Sequence, residues 1–393
     1  MTIQTVATVP TDAGICAPLQ TVPIEPAPAT APDRVPAIKD GDGQLDFRLP
    51  SELEAGEPAE ARGLARDEVR LMVSSTADDS IHHTQFRRLP DILREGDLLV
   101  VNTSGTLNAA IRAWDENGLP LELHLSTQLP AGIWNVELRE PTAEGTTPYG
   151  EAFAGMRLRL DGGGSVAILA PYSCGCDGRA VSDVTRLWLA TFDVPGHVTA
   201  YFGRHGFPIR YSYVRKEWPG EYYQTVYATE PGSAEMPSAG RAFTADLITS
   251  LVSRGVEIAP LILHTGVASL ESVEPPYEEF YRVPATTARR INAARASGAR
   301  VIAVGTTVVR ALETVTSGSE THPGEGWTCH VVGPDRPIRS VNGLLTGLHE
   351  PRSSHLMLLE GLARRAHLHA TYQAALDLKY LWHEFGDLHL ILE

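Results

Sequence analysis

Short blocks of consecutive apolar residues alternate along this chain with stretches in which apolar positions recur every three or four residues. The first pattern reads as buried strands and the second as amphipathic helices. The clearest case is Val301-Ile302-Ala303-Val304, a predicted strand, followed by Gly305 for a sharp turn and by Thr306 or Thr307 as the cap of a helix. Before it, residues 243–254 have helical periodicity, Gly255 is placed to end that helix, and residues 256–263 form an apolar run that enters His264-Thr265-Gly266. Thr286 or Thr287 then caps a predicted helix through Ala296, which Gly298 ends. A looser third instance has a strand at 340–345, a loop at 347–351, and Ser353 or Ser354 capping a helix to about Arg365. Residues 372–385 read as helical, Gly386-Asp387 as a turn, and 388–392 as a last strand.

The rest of the chain has different texture. Residues 1–42, rich in Pro, Ala and Thr, read as a disordered tail. Strand patterns at 69–74 and 82–86 suggest a hairpin, 89–94 a short helix, and 98–102 a strongly apolar strand. From 113 to 208 short segments alternate between turns, with strands expected at 121–125, 132–138, 156–160 and 166–169 and a helix or strand at 184–192. Asp161-Gly162-Gly163-Gly164 reads as a hairpin connection; no helix follows it, so it is not a dinucleotide fingerprint. The expected organisation is an α/β main domain, 43–112 with 209–393, carrying an inserted β-rich domain at 113–208. Strands followed by helices imply parallel pairing, with ligands beyond the carboxyl ends of the strands. That rule gathers His264, Thr306, Thr307, His349 and Asp387 around one cleft.

Composition narrows the function. A hydrophobic content of 43% permits a large core, while a net charge of −15 argues against a broad basic face and leaves room only for a local basic patch. Cys16, Cys174, Cys176 and Cys329 are too few for a disulfide scaffold, and Cys174-Gly-Cys176 reads as a loop with reduced thiols. His82 and His83, adjacent on a strand, point to opposite faces and do not suggest a shared metal. No apolar run approaches the roughly 20 residues of a membrane span, and no secretory signal is recognisable at the start, so the cytoplasm is expected.

Several blocks carry a resemblance. They are Tyr223-Gln224-Thr225-Val226-Tyr227-Ala228, Pro237-Ser238-Ala239-Gly240, Leu263-His264-Thr265-Gly266, Ala303 through Glu313, Leu345-Thr346-Gly347-Leu348-His349, and Lys379-Tyr380 with Phe385-Gly386-Asp387. Weaker matches are Phe47-Arg48-Leu49-Pro50 and Gly96 through Thr103. In this order they resemble the S-adenosylmethionine:tRNA ribosyltransferase-isomerases of queuosine biosynthesis. The resemblance implies a barrel-like α/β main domain with an inserted small β-barrel. It also implies transfer of the ribosyl group of S-adenosylmethionine to the aminomethyl group of a 7-deazaguanine in tRNA, with adenine and methionine released.

Such chemistry needs a base for carbon-bound protons, donors for ribose hydroxyls, and a cation or helix start for a carboxylate. The resemblance offers His264 and His349 as bases. It offers Gly305, Thr306, Thr307 and Gly266 for carboxylate or ribose, Arg310 with Glu313 to orient them, and Tyr223, Gln224, Thr225, Tyr227, Ser238, Gly240, Arg241 and Asp387 as further substrate contacts. Bland alternatives stand beside these: an ion pair within the helix for Arg310 and Glu313, and core packing for Tyr223 and Tyr227. S-adenosylmethionine and tRNA are thus the expected partners, with no metal, no membrane and a monomeric chain. The chain departs from the family pattern at Ser104–Ala110, at Gly240-Arg241-Ala242-Phe243, at 211–218 and at 268–276. These departures keep open a small-molecule acceptor, or a noncatalytic RNA-binding paralogue.

Overall fold

Nine strands hydrogen-bond into one open mixed sheet, in the order Gly324–Thr328, Glu279–Val283, Glu257–Leu263, Leu98–Asn102, Val301–Val304, Gly343–Gly347, Leu388–Leu392, Arg70–Ser75 and Ile81–Gln85. The computed structural model describes residues 38–41, 44–142, 145–172, 185–267 and 277–393, all within one compact unit, Pro36–Glu393. The four strands from Glu257–Leu263 to Gly343–Gly347 run parallel. Leu98–Asn102 and Val301–Val304 are buried throughout, which is why they read as unbroken apolar runs and not as an alternation. Leu388–Leu392 is antiparallel to Gly343–Gly347, with Gly347 opposite Leu388, so the carboxyl ends of the parallel strands and the start of Leu388–Leu392 share one edge.

A second set of strands closes on itself. Trp134–Thr142 pairs with Leu187–Asp193, and the ladder continues through Ser165–Pro171, Arg157–Leu160, Ala110–Trp114 and Pro120–Gln128 back to Trp134–Thr142, antiparallel throughout. Ile111, Leu123, Leu125, Val136, Leu158 and Ile168 fill its interior, joined by Tyr201 and Phe202 of the helix Val198–His205. The segment expected at 184–192 is therefore a strand. The connection at Asp161–Gly164 is a hairpin turn in which Gly162 and Gly163 both have positive φ. The expected boundary at residue 113 falls inside the strand Ala110–Trp114.

Helix ends differ from expectation in instructive ways. Thr244 caps Ala245–Ser253 by accepting from Leu247 N, and Ser353 caps Ser354–Leu359 by accepting from Leu356 N. Thr286 and Thr287 do not cap: the helix Ala285–Ala296 starts after Pro284, and Thr287 Oγ1 donates to Pro260 O at 2.6 Å. Neither Thr306 nor Thr307 caps Thr306–Val315, whose cap position is Gly305 at φ 96°. The helix expected at 372–385 lies earlier, at Arg365–Asp377; Lys379 and His383 take left-handed backbone, and the Asp387 carboxylate holds the turn by accepting from Leu381 N at 2.8 Å.

At the start of the chain, Lys39–Gly41 pairs with Gln44–Asp46, and Ile38 is buried, so regular structure begins before residue 42. The rest of the expected tail, with Cys16, lies outside the described residues, as do Cys174 and Cys176. Cys329 is disulfide-bonded, a pairing the sequence reading did not assign. Among the described residues no helix is long and apolar enough to cross a membrane, and no group of three or more His, Cys, Asp and Glu is placed to hold a metal ion.

Candidate active site

The site begins at Asn102, the polar residue that ends an apolar strand. Its Oδ1 accepts from Leu263 N at 3.0 Å and from Ser104 N at 3.1 Å, while Nδ2 donates to Leu263 O at 2.8 Å and reaches Thr307 Oγ1 at 3.4 Å. One buried amide thus ties the ends of two parallel strands to the first turn of the helix Thr306–Val315. The chain then turns into Ser104–Thr106, which pairs in parallel with Glu230–Ser233.

This pairing brings Ser104 Oγ within 2.6 Å of Ser233 Oγ and 2.7 Å of His264 Nδ1. The imidazole lies on the backbone at Gly232, where an added Cβ would come within 2.4 Å of the ring, so only glycine fits there. Phe280 stacks against it with centroids 5.7 Å apart. His264 Nε2 is 3.7 Å from Glu230 Oε1, and Glu230 pairs with Arg282. Burial lowers the His264 pKa below its ordinary value, and the nearby Glu230 carboxylate works in the opposite direction. The outcome is an imidazole that is neutral at pH 7, oriented, and only partly covered, as a general base requires.

Beside it, Gly266 N donates to Glu279 Oε1 at 3.1 Å, and Glu279 forms a partly buried ion pair with Arg310. Arg310 Nε also donates to His330 O at 3.2 Å. At the start of Thr306–Val315 the N–H groups of Thr306 and Thr307 have no carbonyl within the helix to bond, while Val308 N donates to Gly305 O at 3.2 Å. Arg310 and Glu313 do not pair: Glu313 accepts from Arg339 N and Ser340 N at 2.8 and 2.7 Å and anchors the following loop. The alternative of a helix ion pair therefore gives way to two separate long-range contacts.

His349 follows Gly343–Gly347, three strands along the sheet from the strand that leads to His264. Its Nε2 is 2.7 Å from Thr346 Oγ1, its ring stacks on His355, and its peptide is fixed by Tyr372 Oη and Trp382 Nε1. Burial, reinforced by neighbouring histidines, pushes its pKa well down. It occupies the expected sheet edge but shares no bonded neighbour with His264. Asp387 is at that edge too, with its oxygens engaged by Arg70 N, the Arg70 guanidinium and Leu381 N.

The remaining candidates are mostly engaged in the fold. Gln224 pairs with both sides of the Thr106 peptide, Oε1 accepting from Thr106 N at 3.0 Å and Nε2 donating to Thr106 O at 2.7 Å. Tyr223 packs on Phe385 and Tyr227 on Phe243, and burial raises both phenol pKa values. Gly240 leaves room for Tyr227, whose hydroxyl a Cβ would strike. Arg241 is buried, donating to Tyr222 O and to Glu60 at 2.8 Å. Thr225 Oγ1 is buried with no hydrogen-bond partner among the described residues. Ser238 and Arg241 line a small cavity with Gly347, His383 and Glu384. There Tyr213 stacks on His383 with centroids 3.9 Å apart and donates to Glu384, whose pKa burial raises to about 7.

Sequence reasoning passed over Asn102, Ser104, Ser233, Glu230 and Glu279. Asn102 had a signal, as a lone amide closing an apolar run. The serines and glutamates had none, because they meet His264 and Arg310 only through pairings between distant segments. The rewritten loop at 268–276 lies outside the described residues.

The chain also matches known proteins. The sequence profile of the queuosine biosynthesis protein family matches residues 43–391. An S-adenosylmethionine:tRNA ribosyltransferase-isomerase of Thermotoga maritima is 36% identical over 89% of this chain and 99% of that protein. One of the same name from Symbiobacterium thermophilum is 36% identical over 88% of this chain and 98% of that protein. A crystal structure of the S-adenosylmethionine tRNA ribosyltransferase of Thermotoga maritima, 29% identical, superposes with a TM-score of 0.49 over 88% of this chain and 99% of the other.

Proposed function

The chain belongs to the queuosine biosynthesis protein family, and we propose that it carries out the reaction for which its relatives are named: it transfers and isomerises the ribosyl group of S-adenosylmethionine onto a 7-deazaguanine in tRNA, giving epoxyqueuosine and releasing adenine and methionine. The observation that carries the reading is His264, a neutral imidazole oriented by Ser104 at the strand ends beside the start of Thr306–Val315.

In this reading His264 takes the proton from a ribose carbon that the sulfonium acidifies. The N–H groups at Thr306 and Thr307, with Gly266 and the Arg310–Glu279 pair nearby, position the anionic and hydroxyl groups of the donor. His264 is preferred to His349 because the latter is held by Thr346 and deeply packed, so its ring supports the edge rather than meeting substrate. Ser238, Gly240, Arg241, Tyr223, Gln224, Thr225, Tyr227, Glu313 and Asp387 then shape the walls. In this reading the closed antiparallel ring is the inserted small β-barrel, and the nine-stranded open sheet with its helices is the α/β main domain. The same reading has the enzyme act as a monomer in the cytoplasm, without a metal.

The test is to incubate the protein with S-adenosylmethionine and tRNA bearing the aminomethyl-deazaguanine. Adenine, methionine and a new epoxycyclopentanediol nucleoside are expected in equal amounts. Adenine release with no dependence on tRNA would favour a small-molecule acceptor, and no release at all would contradict the reading.

A further inference from the structure

Two cavities, of about 340 and 310 Å³, lie where the antiparallel ring meets the segment 206–223. The first is lined by Asn108, Pro208, Trp218 and Tyr223, the second by Arg112, Trp114 and Glu122, and Phe207, Arg210 and Glu217 line both. Shared walls make them one groove. Its total size lies in the range of ligand sites.

The groove interleaves cations with rings. The Arg112 guanidinium lies over Phe207 at 5.7 Å, Arg159 over Trp114 at 4.9 Å, and Lys216 over Trp218 at 4.6 Å. Such pairs hold aromatic faces where bases stack and charges where phosphates pass. Arg210 is the telling residue. It is half-buried, lines both cavities, and makes no hydrogen bond or ion pair with any described residue. A half-buried guanidinium without a partner is costly unless an anion meets it. Trp218 Nε1 is likewise buried with no acceptor among the described residues.

The acidic groups in the groove are accounted for. Glu122 is held by His124 Nε2 at 2.6 Å, and Glu217 lies 3.7 Å from Arg112. Position ties the groove to the chemistry. Ser104 touches His264, and Asn108, four residues later, lines the first cavity, roughly 13 Å of extended chain away at about 3.3 Å per residue.

We propose that this groove binds a single-stranded segment of the RNA acceptor, with bases stacking on Phe207 and Trp218 and phosphates meeting Arg210 and Arg112, and that it delivers the reacting base towards His264. In a chain of net charge −15 this is a local patch that selects and orients RNA without broad nonspecific attraction. The inference rests on the tRNA reading above.

The experiment compares wild type with Arg210→Gln and Arg210→Glu. Because Arg210 bonds to nothing described, neither change breaks a bond of the fold; circular dichroism checks this, and Arg112→Gln serves as a second variant. Fluorescence anisotropy with precursor tRNA is run across salt concentrations, calorimetry measures S-adenosylmethionine binding, and steady-state kinetics give KM and kcat. The expected result is a rise of about tenfold or more in KM and Kd for tRNA with Arg210→Glu, exceeding any change in kcat. The salt slope should fall by about 1 for each phosphate that is no longer neutralised, with S-adenosylmethionine affinity within about twofold of wild type. Wild type that modifies tRNA while all three variants match it in KM and salt slope would overturn the groove alone. Wild type that neither binds nor modifies tRNA would overturn the groove together with the tRNA reading.

Discussion

His264 Nδ1 lies 2.7 Å from Ser104 Oγ, which is itself 2.6 Å from Ser233 Oγ, and Ser233 Oγ accepts from Thr265 N at 3.1 Å. For Nε2 to be the basic nitrogen, Nδ1–H donates to Ser104, which donates to Ser233. In that arrangement the two serines hold the ring in the tautomer that leaves Nε2 free to accept a proton. Ser104→Ala should lower kcat by about one to two orders of magnitude, leaving the affinity for S-adenosylmethionine within a few-fold of wild type. Calorimetry beside steady-state kinetics checks it; an unchanged kcat would remove Ser104 from the site.

His264→Gln should lower kcat by about 10²–10⁴-fold, the range for a lost general base, whereas His349→Gln should act mainly on thermal stability. The pH profile carries a sign. Burial holds the His264 pKa below 6.5, so the base is neutral at pH 7, and log kcat/KM should fall only as pH drops below that ordinary value. An acid limb starting well above pH 7 would contradict the assignment.

Glu384 supplies a test of the packing around Tyr213. Its folded pKa is raised to about 7 from an ordinary 4.5, so the folded chain binds more protons than the unfolded chain between those values. Stability from this group is therefore present below about pH 4.5 and lost as pH rises towards 7 and above. Glu384→Gln should raise Tm relative to wild type by a few degrees at pH 8 and by less at pH 5, read by thermal unfolding at both.

Asp79, His367 and Ser74 bond in the order of an acyl-transfer triad, His367 Nδ1 to Asp79 Oδ1 at 2.9 Å and Nε2 to Ser74 Oγ at 2.9 Å. Ser74 is only 1% exposed and also meets His389 Nε2 at 2.8 Å, so no substrate reaches it. The chain of bonds is structural. Ser74→Ala should cost about 1–3 kcal/mol of stability and no activity. His389 is buried with its pKa lowered to about 3 from 6.5, so its contribution is full above pH 6.5 and is lost as pH falls towards 3; a His389→Asn variant should lack that acid-side slope.

Much of the sheet was legible because its central strands are buried on both faces. Runs such as Leu98-Leu99-Val100-Val101 and Val301-Ile302-Ala303-Val304 leave little alternative to parallel strands, and the strand at 98–102 begins and ends where the pattern places it. Helix limits were less legible. The periodicity at 372–385 joins Tyr372, on the helix Arg365–Asp377, to Tyr380, Trp382 and Phe385, which pack into a core from a turn that Asp387 holds, and aromatic burial there mimics a helical stripe. At the site, His264 and the Thr306 turn were visible as polar residues after strands. Ser104, Ser233 and Glu279 were not, because their roles exist only once segments far apart in the chain, or paired across the sheet, are brought together.

A crystal structure with S-adenosylmethionine bound decides where the donor sits. The ribose is expected within hydrogen-bonding distance of His264 Nε2, with the methionine carboxylate at the N–H groups of Thr306 and Thr307. A donor seated instead against His349, or in the cavity lined by Ser238, Arg241 and Glu384, with His264 apart from it, would rule out His264 as the base.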